Sequence, residues 1–408
     1  MSRDVEVVVI GAGQAGLSAA HHLARLGLDL VVLDAEDRAG GAWQHRWPSL
    51  TLARTHHVHD LPGLPFPPAG DDVPAADAVP AYFAEYERHF ALPVHRPVRV
   101  HAVRRTSDDS RREHRSELCE RGADRGAESD RRARPDDSRR EHRSELCERG
   151  ADRGAESGPR ARPDDRFRVE TSDGDWTADA VVNATGTWTR PFVPRYPGQE
   201  VFRGRQLTPV DYRGAAEFAG QSVVVVGGGA SAVQLLGEIA EVADTTWVTR
   251  RPPVWREEPF GPDEGRAAVA LVEDAVREGR SPGSVVGVTG LVVTPWVREA
   301  RARGVLDRLP MFDRLTPDGV AWDDGRSVRA DAVLWATGFR AALGHLAPLG
   351  LRGPGGGIRM EGTHVAGEPR VHLVGYGPSA STVGANRAGR EAAVALRRLL
   401  HPEAARAA

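Results

Sequence analysis

The sequence predicts an α/β protein made of two interleaved doubly wound units, and three observations predict it. Two stretches each read as strand, glycine-rich loop, helix and strand, one entered at Val5 and the other at Gln221. Two further apolar strands end in the same three residues, Ala-Thr-Gly, at 184–186 and 336–338. Length and composition agree with this: 408 residues suit two or three domains, with 40% hydrophobic and 27% charged residues. A net charge of −3 lacks the sign asymmetry of a nucleic-acid binder or a membrane-surface protein. No apolar run reaches about 18 residues, so no membrane span is expected. The N-terminus enters its first strand without a basic region or cleavage site, which points to the cytoplasm. Lysine is absent, which excludes Schiff-base and P-loop chemistry. Cys119 and Cys147 form no C-x-x-C, so neither a dithiol redox pair nor a four-ligand zinc site can be built.

The elements follow in order. In VEVVVIGAGQAGLSAAHHLARLGLDLVVLDAE an apolar strand runs into Gly11, and Gly11, Gly13 and Gly16 form G-x-G-x-x-G, with Gln14 and Ala15 inside the loop. A helix of apolar period 3–4 reaches Leu26, and a second strand ends in Asp34. Glycines there permit a tight turn and close approach to a pyrophosphate, which the helix N-terminus attracts, while the acid takes ribose hydroxyls. This is a Rossmann-like dinucleotide site. His56, His57, His59 and Asp60 resemble metal ligands only when read in a row. Neighbours on extended chain diverge, so a polar loop is the better reading and no metal is expected.

Residues 108–163 interrupt the pattern. Asp108–Pro135 recurs as Asp136–Pro163, 28 residues each, differing only at Asp130/Gly158 and Arg131/Pro159. Each copy has one Leu and no other large hydrophobic residue, so it cannot bury enough surface to offset its ordering entropy. The strand-like runs PVRVHAVRR and RFRVETSDG flank it, which places a charged, disordered insertion at a hairpin tip.

The strand ADAVVNATG then ends in Thr185 and Gly186. The second unit, QSVVVVGGGASAVQLLGEIAEVADTTWVTRR, carries G-x-G-x-x-A at Gly227, Gly229 and Ala232, with a helix to about Val242. Ser231 lacks a histidine and acid partner, so its hydroxyl is expected to cap the helix or meet a phosphate. The second strand ends in Arg250 and Arg251 in place of an acid, which suits a 2′-phosphate and hence NADPH. The strand ADAVLWATGFR closes the unit in Thr337 and Gly338.

With these motifs in hand, the chain resembles the two-dinucleotide-binding-domain flavoproteins, and within them the flavin-containing monooxygenases of class B type. Gly40, Gly41 and Trp43 in GGAW, LPGLPFP from Leu61 and the C-terminal VGYGPSASTVGANRAGREAA add to the likeness. The resemblance implies FAD in the first unit and NADPH in the second. It also implies a flavin contact by Gly41 and Trp43, and a last helix from about Ala385 with its N-terminus at the flavin pyrimidine edge. The FAD domain would span 1–195 and 341–408, and the NADPH domain 196–340. The implied reaction is insertion of one oxygen atom from O2 into a small-molecule substrate through a peroxyflavin, at nitrogen, sulfur or a ketone carbon. Two departures from the family pattern bear on it. Thr208 stands where the linker fingerprint, Phe202-x-Gly204 to Tyr212, has a histidine. Ala53 stands where an asparagine holds the flavin peroxide, and the adjacent Arg54 is the substitute donor. Arg54 and Thr208 are therefore the candidate catalytic side chains. Three readings stay open: a monooxygenase, an NADPH oxidase or flavin reductase releasing hydrogen peroxide, and a redox-sensing flavoprotein. No nucleic-acid or membrane partner is expected, and a homodimer is left open.

Overall fold

The structure, a computed structural model, describes residues 3–55, 58–108, 165–257, 262–282 and 290–403. In chain order the first elements are β1 (Arg3–Ile10), α1 (Gln14–Arg25), β2 (Leu30–Leu33) and α2 (Ala75–His89). They are followed by β3 (Val94–His95), β4 (Val100–Arg105), β5 (Phe167–Thr171) and β6 (Trp176–Asn183). Next come β7 (Arg205–Leu207), β8 (Ser222–Val226), α3 (Ala230–Ile239), β9 (Asp244–Thr249) and β10 (Trp255–Arg256). Then follow α4 (Pro262–Arg277), β11 (Leu291–Val292), α5 (Pro295–Ala302) and β12 (Arg308–Pro310). A small meander of β13 (Arg314–Thr316), β14 (Gly319–Ala321) and β15 (Ser327–Arg329) leads to β16 (Ala332–Trp335). The chain closes with β17 (Met360–Glu361), β18 (His364–Val365), β19 (Glu368–Leu373) and α6 (Thr382–Leu400).

Two parallel sheets repeat one plan. In the first, the parallel strands run β3-β2-β1-β6-β19, and in the second β12-β9-β8-β16-β7. In each, the strand that enters the glycine loop lies between the strand that ends in Asp34 or Thr249 and the strand that ends in Ala-Thr-Gly. Parallel strands covered on both faces need continuous apolar runs, and Val7–Ile10 and Val223–Val226 are both buried throughout. The C-terminal segment returns to the first sheet. There β19 pairs with the end of β6, and α6 packs on α1. That crossing is close because Gly389 lacks a side chain: a Cβ there would come within 2.8 Å of the Ala19 nitrogen.

The runs on either side of the insertion pair as the antiparallel β4–β5 hairpin, with Arg105 opposite Phe167. Its open end is sealed. The Asp165 carboxylate accepts from Ser107 N at 2.9 Å, Ser107 Oγ at 2.7 Å and Thr106 Oγ1 at 3.1 Å. A buried Arg105–Glu368 ion pair, 3.0 Å, ties the hairpin to β19. Beyond Asp108 the repeat lies outside the described residues, as do His56 and His57. Among the described residues no helix is long and apolar enough to cross a membrane, and no cluster of His, Cys, Asp or Glu could hold a metal ion.

Two helix ends differ from expectation. The last helix begins at Thr382, because Ser381 Oγ accepts from Gly384 N at 3.0 Å and caps it; Ala385 sits buried in the first turn. The second-unit helix stops at Ile239, and Ala240–Val242 turn back towards Gly220.

Candidate functional site

Each glycine loop abuts its own Ala-Thr-Gly strand. Gly11 has φ +99°, and a Cβ there would lie 2.8 Å from the Ala184 carbonyl oxygen. Gly227 has φ +141°, and a Cβ would overlap the Ala336 carbonyl oxygen. Both positions thus demand glycine twice over, by conformation and by space. Gly16 is constrained by space alone, since its Cβ would overlap the Gly11 carbonyl, whereas the second loop accommodates the Ala232 methyl in a fully buried position. A Cβ at Gly13 or Gly229 would meet nothing within 4 Å. These two glycines are the N-caps of α1 and α3, and neither helix start is capped by a side chain. α5 and α6 are capped by Thr294 and Ser381; α2, which follows Pro74, also lacks a side-chain cap but has no glycine loop before it. Helix starts without a side-chain cap, beside open space at Gly13 and Gly229, fit an incoming pyrophosphate at both loops. Ser231 is one residue inside α3, so it is not the helix cap.

Around the first loop, Gln14 Nε2 donates to the carbonyls of His59 and Thr382 at 3.3 Å, linking the loop to the start of α6. Ala15 faces Gly375, whose Cβ would lie 3.4 Å from the Ala15 methyl. Gly41, at φ +50°, passes so near Gly13 that a Cβ would be 2.9 Å from its Cα, while Gly40, at φ +129°, packs so near Pro80 that a Cβ would be 2.7 Å from the Pro80 Cβ. Trp43 follows, partly buried. Asp34 is buried and accepts from Arg96 Nε at 2.8 Å, while Arg96 grips Glu87 through two bonds of 2.6 Å. Burial raises the Asp34 carboxyl above the ordinary range against the pull of Arg96. Around the second loop, Arg250 and Arg251 are exposed at the end of β9. The Arg251 carbonyl lies about 4.0 Å from where a Gly228 Cβ would be.

The Ala-Thr-Gly threonines bind the connections between the units. Thr185 Oγ1 donates to Ala342 O at 2.8 Å, and Thr337 Oγ1 donates to Phe192 O. Backbone bonds Phe192 N to Gly338 O (2.9 Å), Arg340 N to Arg190 O (2.8 Å) and Ala342 N to Gly186 O (2.9 Å) join the two linkers side by side. Neither Gly186 nor Gly338 has anything within 4 Å of a would-be Cβ. Thr185 Oγ1 also reaches Asn183 Oδ1, at 3.2 Å, which sits 2.7 Å from His345 Nε2. Burial lowers His345 to about 4.

Arg54 and Thr208 take other work than expected. Arg54 Nη1 donates to Glu238 on α3 at 3.3 Å, beside bonds to the same carboxylate from Ser49 Oγ (2.6 Å) and Tyr212 OH (3.0 Å). A donor committed across the units to Glu238 is an interunit tie. Thr208 N and Oγ1 both donate to Asp211, at 2.9 and 2.8 Å, closing the turn that delivers Tyr212 to Glu238. Tyr212 also meets Trp47 edge-on at 5.9 Å, so Trp47 belongs to the second unit's core. Glu238, Arg96 and Asn183–His345 carry no motif, and sequence reasoning missed them.

Two like-built sheets with paired nucleotide loops define the class, a two-nucleotide flavoprotein. The family model described as pyridine nucleotide-disulphide oxidoreductase matches residues 5–275. A flavin-containing monooxygenase from Stenotrophomonas maltophilia is 35% identical over 98% of this chain and 99% of its own, with a TM-score of 0.71. A doubly substituted mutant of the flavin monooxygenase from the same organism gives 36% and 0.72. A Baeyer-Villiger monooxygenase of Streptomyces coelicolor is 26% identical over 62% of this chain and 38% of its own length. An uncharacterized CzcO-like oxidoreductase of Geobacillus kaustophilus is 23% identical over 59% and 53%. The chain thus spans about half or less of these two curated relatives. It belongs to the pyridine nucleotide-disulphide oxidoreductase family and, within it, to the flavin-containing monooxygenases, whose cofactors are FAD and NADPH.

Proposed function

We propose that this protein is an FAD- and NADPH-dependent monooxygenase that places one oxygen atom of O2 on a small organic substrate. The observation that carries the reading is the pair of uncapped helix starts, α1 and α3, each behind an open glycine loop in sheets of one plan. In this reading 1–195 with 341–408 form the FAD unit and 196–340 the NADPH unit. FAD supplies the activation of O2 when bound, and NADPH supplies the reducing equivalents.

The chain's own residues bind, orient and exclude water. The loop at Gly11–Gly16 and Asp34 hold the FAD pyrophosphate and ribose, and Gly41 and Trp43 border the flavin. The loop at Gly227–Ala232 holds the second pyrophosphate, and Arg250 and Arg251 take the 2′-phosphate. The doubled linker, with Thr185 bound to the segment after Thr337 and Thr337 to the segment after Thr185, sets the angle between the two cofactors and keeps solvent from the junction.

Two measurements test this. Product formed and hydrogen peroxide released per NADPH consumed separate the readings: hydrogen peroxide equal to NADPH makes the protein an oxidase and sinks the monooxygenase assignment. Replacing Arg250 and Arg251 with Gln is expected to weaken NADPH about ten- to a hundredfold while leaving NADH unchanged, the scale of a charge-assisted phosphate contact. Equal loss for both nucleotides would assign the arginines a structural role.

A further inference from the structure

Arg46 stands where the first unit packs against the second. It follows the turn Gly41–His45, and the side chain of the next residue, Trp47, packs into the second unit's core. The Arg46 guanidinium carbon lies 4.2 Å from the ring centroid of Trp188 and 5.7 Å from that of Trp43. Trp188 stacks in turn on Phe339, with centroids 5.3 Å apart, so the cation and two rings form one pile across the doubled linker. Arg46 Nε is sealed from solvent and donates to nothing, and among the described residues no oxygen accepts from this guanidinium. Burial lowers the group to about 10, which leaves it cationic at neutral pH.

A cation so placed is costly without a counter-charge, and aromatic faces offset only part of that cost. Arg96 holds Asp34 and Glu87, and Arg54 holds Glu238, while Arg190 and Arg340 of the doubled linker are exposed to water. In the proposed reading the pyrophosphates take the starts of α1 and α3, and the 2′-phosphate takes the end of β9. Among the described residues nothing is left to supply Arg46 with a counter-charge, and an oxyanion from outside the chain would supply one.

We propose that Arg46 anchors a carboxylate borne by the substrate, which makes small organic acids the substrate class of this protein. The proposal rests on the monooxygenase reading above. A guanidinium held over an indole presents paired N–H donors with less entropy left to lose, which suits a carboxylate. A nucleotide phosphate is the competing source of the same charge.

The test is equilibrium binding to the oxidised FAD-loaded protein, followed by perturbation of the flavin absorbance. The probes are acetate, hexanoate and phenylacetate, each against its neutral amide, with wild type, Arg46→Lys and Arg46→Gln. Wild type is expected to prefer at least one acid over its amide about ten- to a hundredfold. Arg46→Gln erases that preference and Arg46→Lys keeps part of it, while FAD content, melting temperature and NADP affinity stay unchanged. Three results overturn the proposal: no acid preference in wild type for any pair, loss of NADP affinity or FAD in Arg46→Gln, or a melting-temperature loss shared by both variants. The readout needs no oxygen transfer, so an enzyme that only releases hydrogen peroxide would sink the activity while leaving this binding site testable.

Discussion

Gly11 and Gly227 occupy equivalent points in two sheets, and both combine a positive φ with a carbonyl at close range. Alanine at either costs roughly 1–3 kcal/mol in backbone strain, before any displacement of the neighbouring strand end. The expected readouts differ by unit. Gly11→Ala should purify largely free of flavin, whereas Gly227→Ala should keep its flavin and lose NADPH affinity; flavin absorbance and a nucleotide titration distinguish them. Four histidines add a pH dependence. Burial lowers His22 and His345 to about 4 and His372 to about 3, and it lowers His21 as well, while an unfolded histidine titrates near about 6.5. Between those values the unfolded chain binds more protons, so stability is full above pH ~6.5 and declines as acid approaches the folded values. The urea midpoint should fall steadily from pH ~6.5 to ~4.5, and His372→Gln should flatten that slope. A slope identical in the variant would clear His372 of responsibility.

The elements that repeat a chemical rule were readable in the sequence. Both glycine loops, their helices and the two Ala-Thr-Gly strands lie where pattern and spacing put them, because close backbone approach admits few residue types. What escaped reading is contact between segments far apart in the chain. Nothing local marks Glu238, yet it joins Ser49 and Arg54 of one unit to Tyr212 and α3 of the other. In sequence Arg54 reads only as a donor for the flavin, because its bond to Glu238, 184 residues away, leaves no local mark. The family's aromatic at Tyr212 was legible, but not that the Thr208–Asp211 turn aims it at Glu238. Removing the acceptor leaves three donors stranded, so Glu238→Ala should cost about 1–3 kcal/mol in urea unfolding. Tyr212→Phe, which loses one bond and keeps the ring stack on Phe218 at 6.0 Å, should cost less. Equal losses would place the effect in packing instead of the shared carboxylate.

At the scale of the molecule, the insertion is attached through a hairpin whose base is closed by Thr106, Ser107 and Asp165. Replacing Asp108–Pro163 with a short Gly-Asn linker should therefore leave FAD content intact and shift the melting temperature by no more than about 2 °C. Loss of flavin in that variant would tie the repeat to the core. The return of β19 and α6 to the first sheet has a consequence for biosynthesis. The chain emerges from the ribosome N-terminus first, so β1 and β6 are made long before β19 and the helix that covers α1. The second sheet, by contrast, draws all its strands from Arg205–Trp335 and is complete while the last segment is still being synthesised. During translation the first-made half must wait, unfinished, for the last-made piece, and a ribosome stalled before residue 368 would hold a chain able to finish its second sheet but not its first.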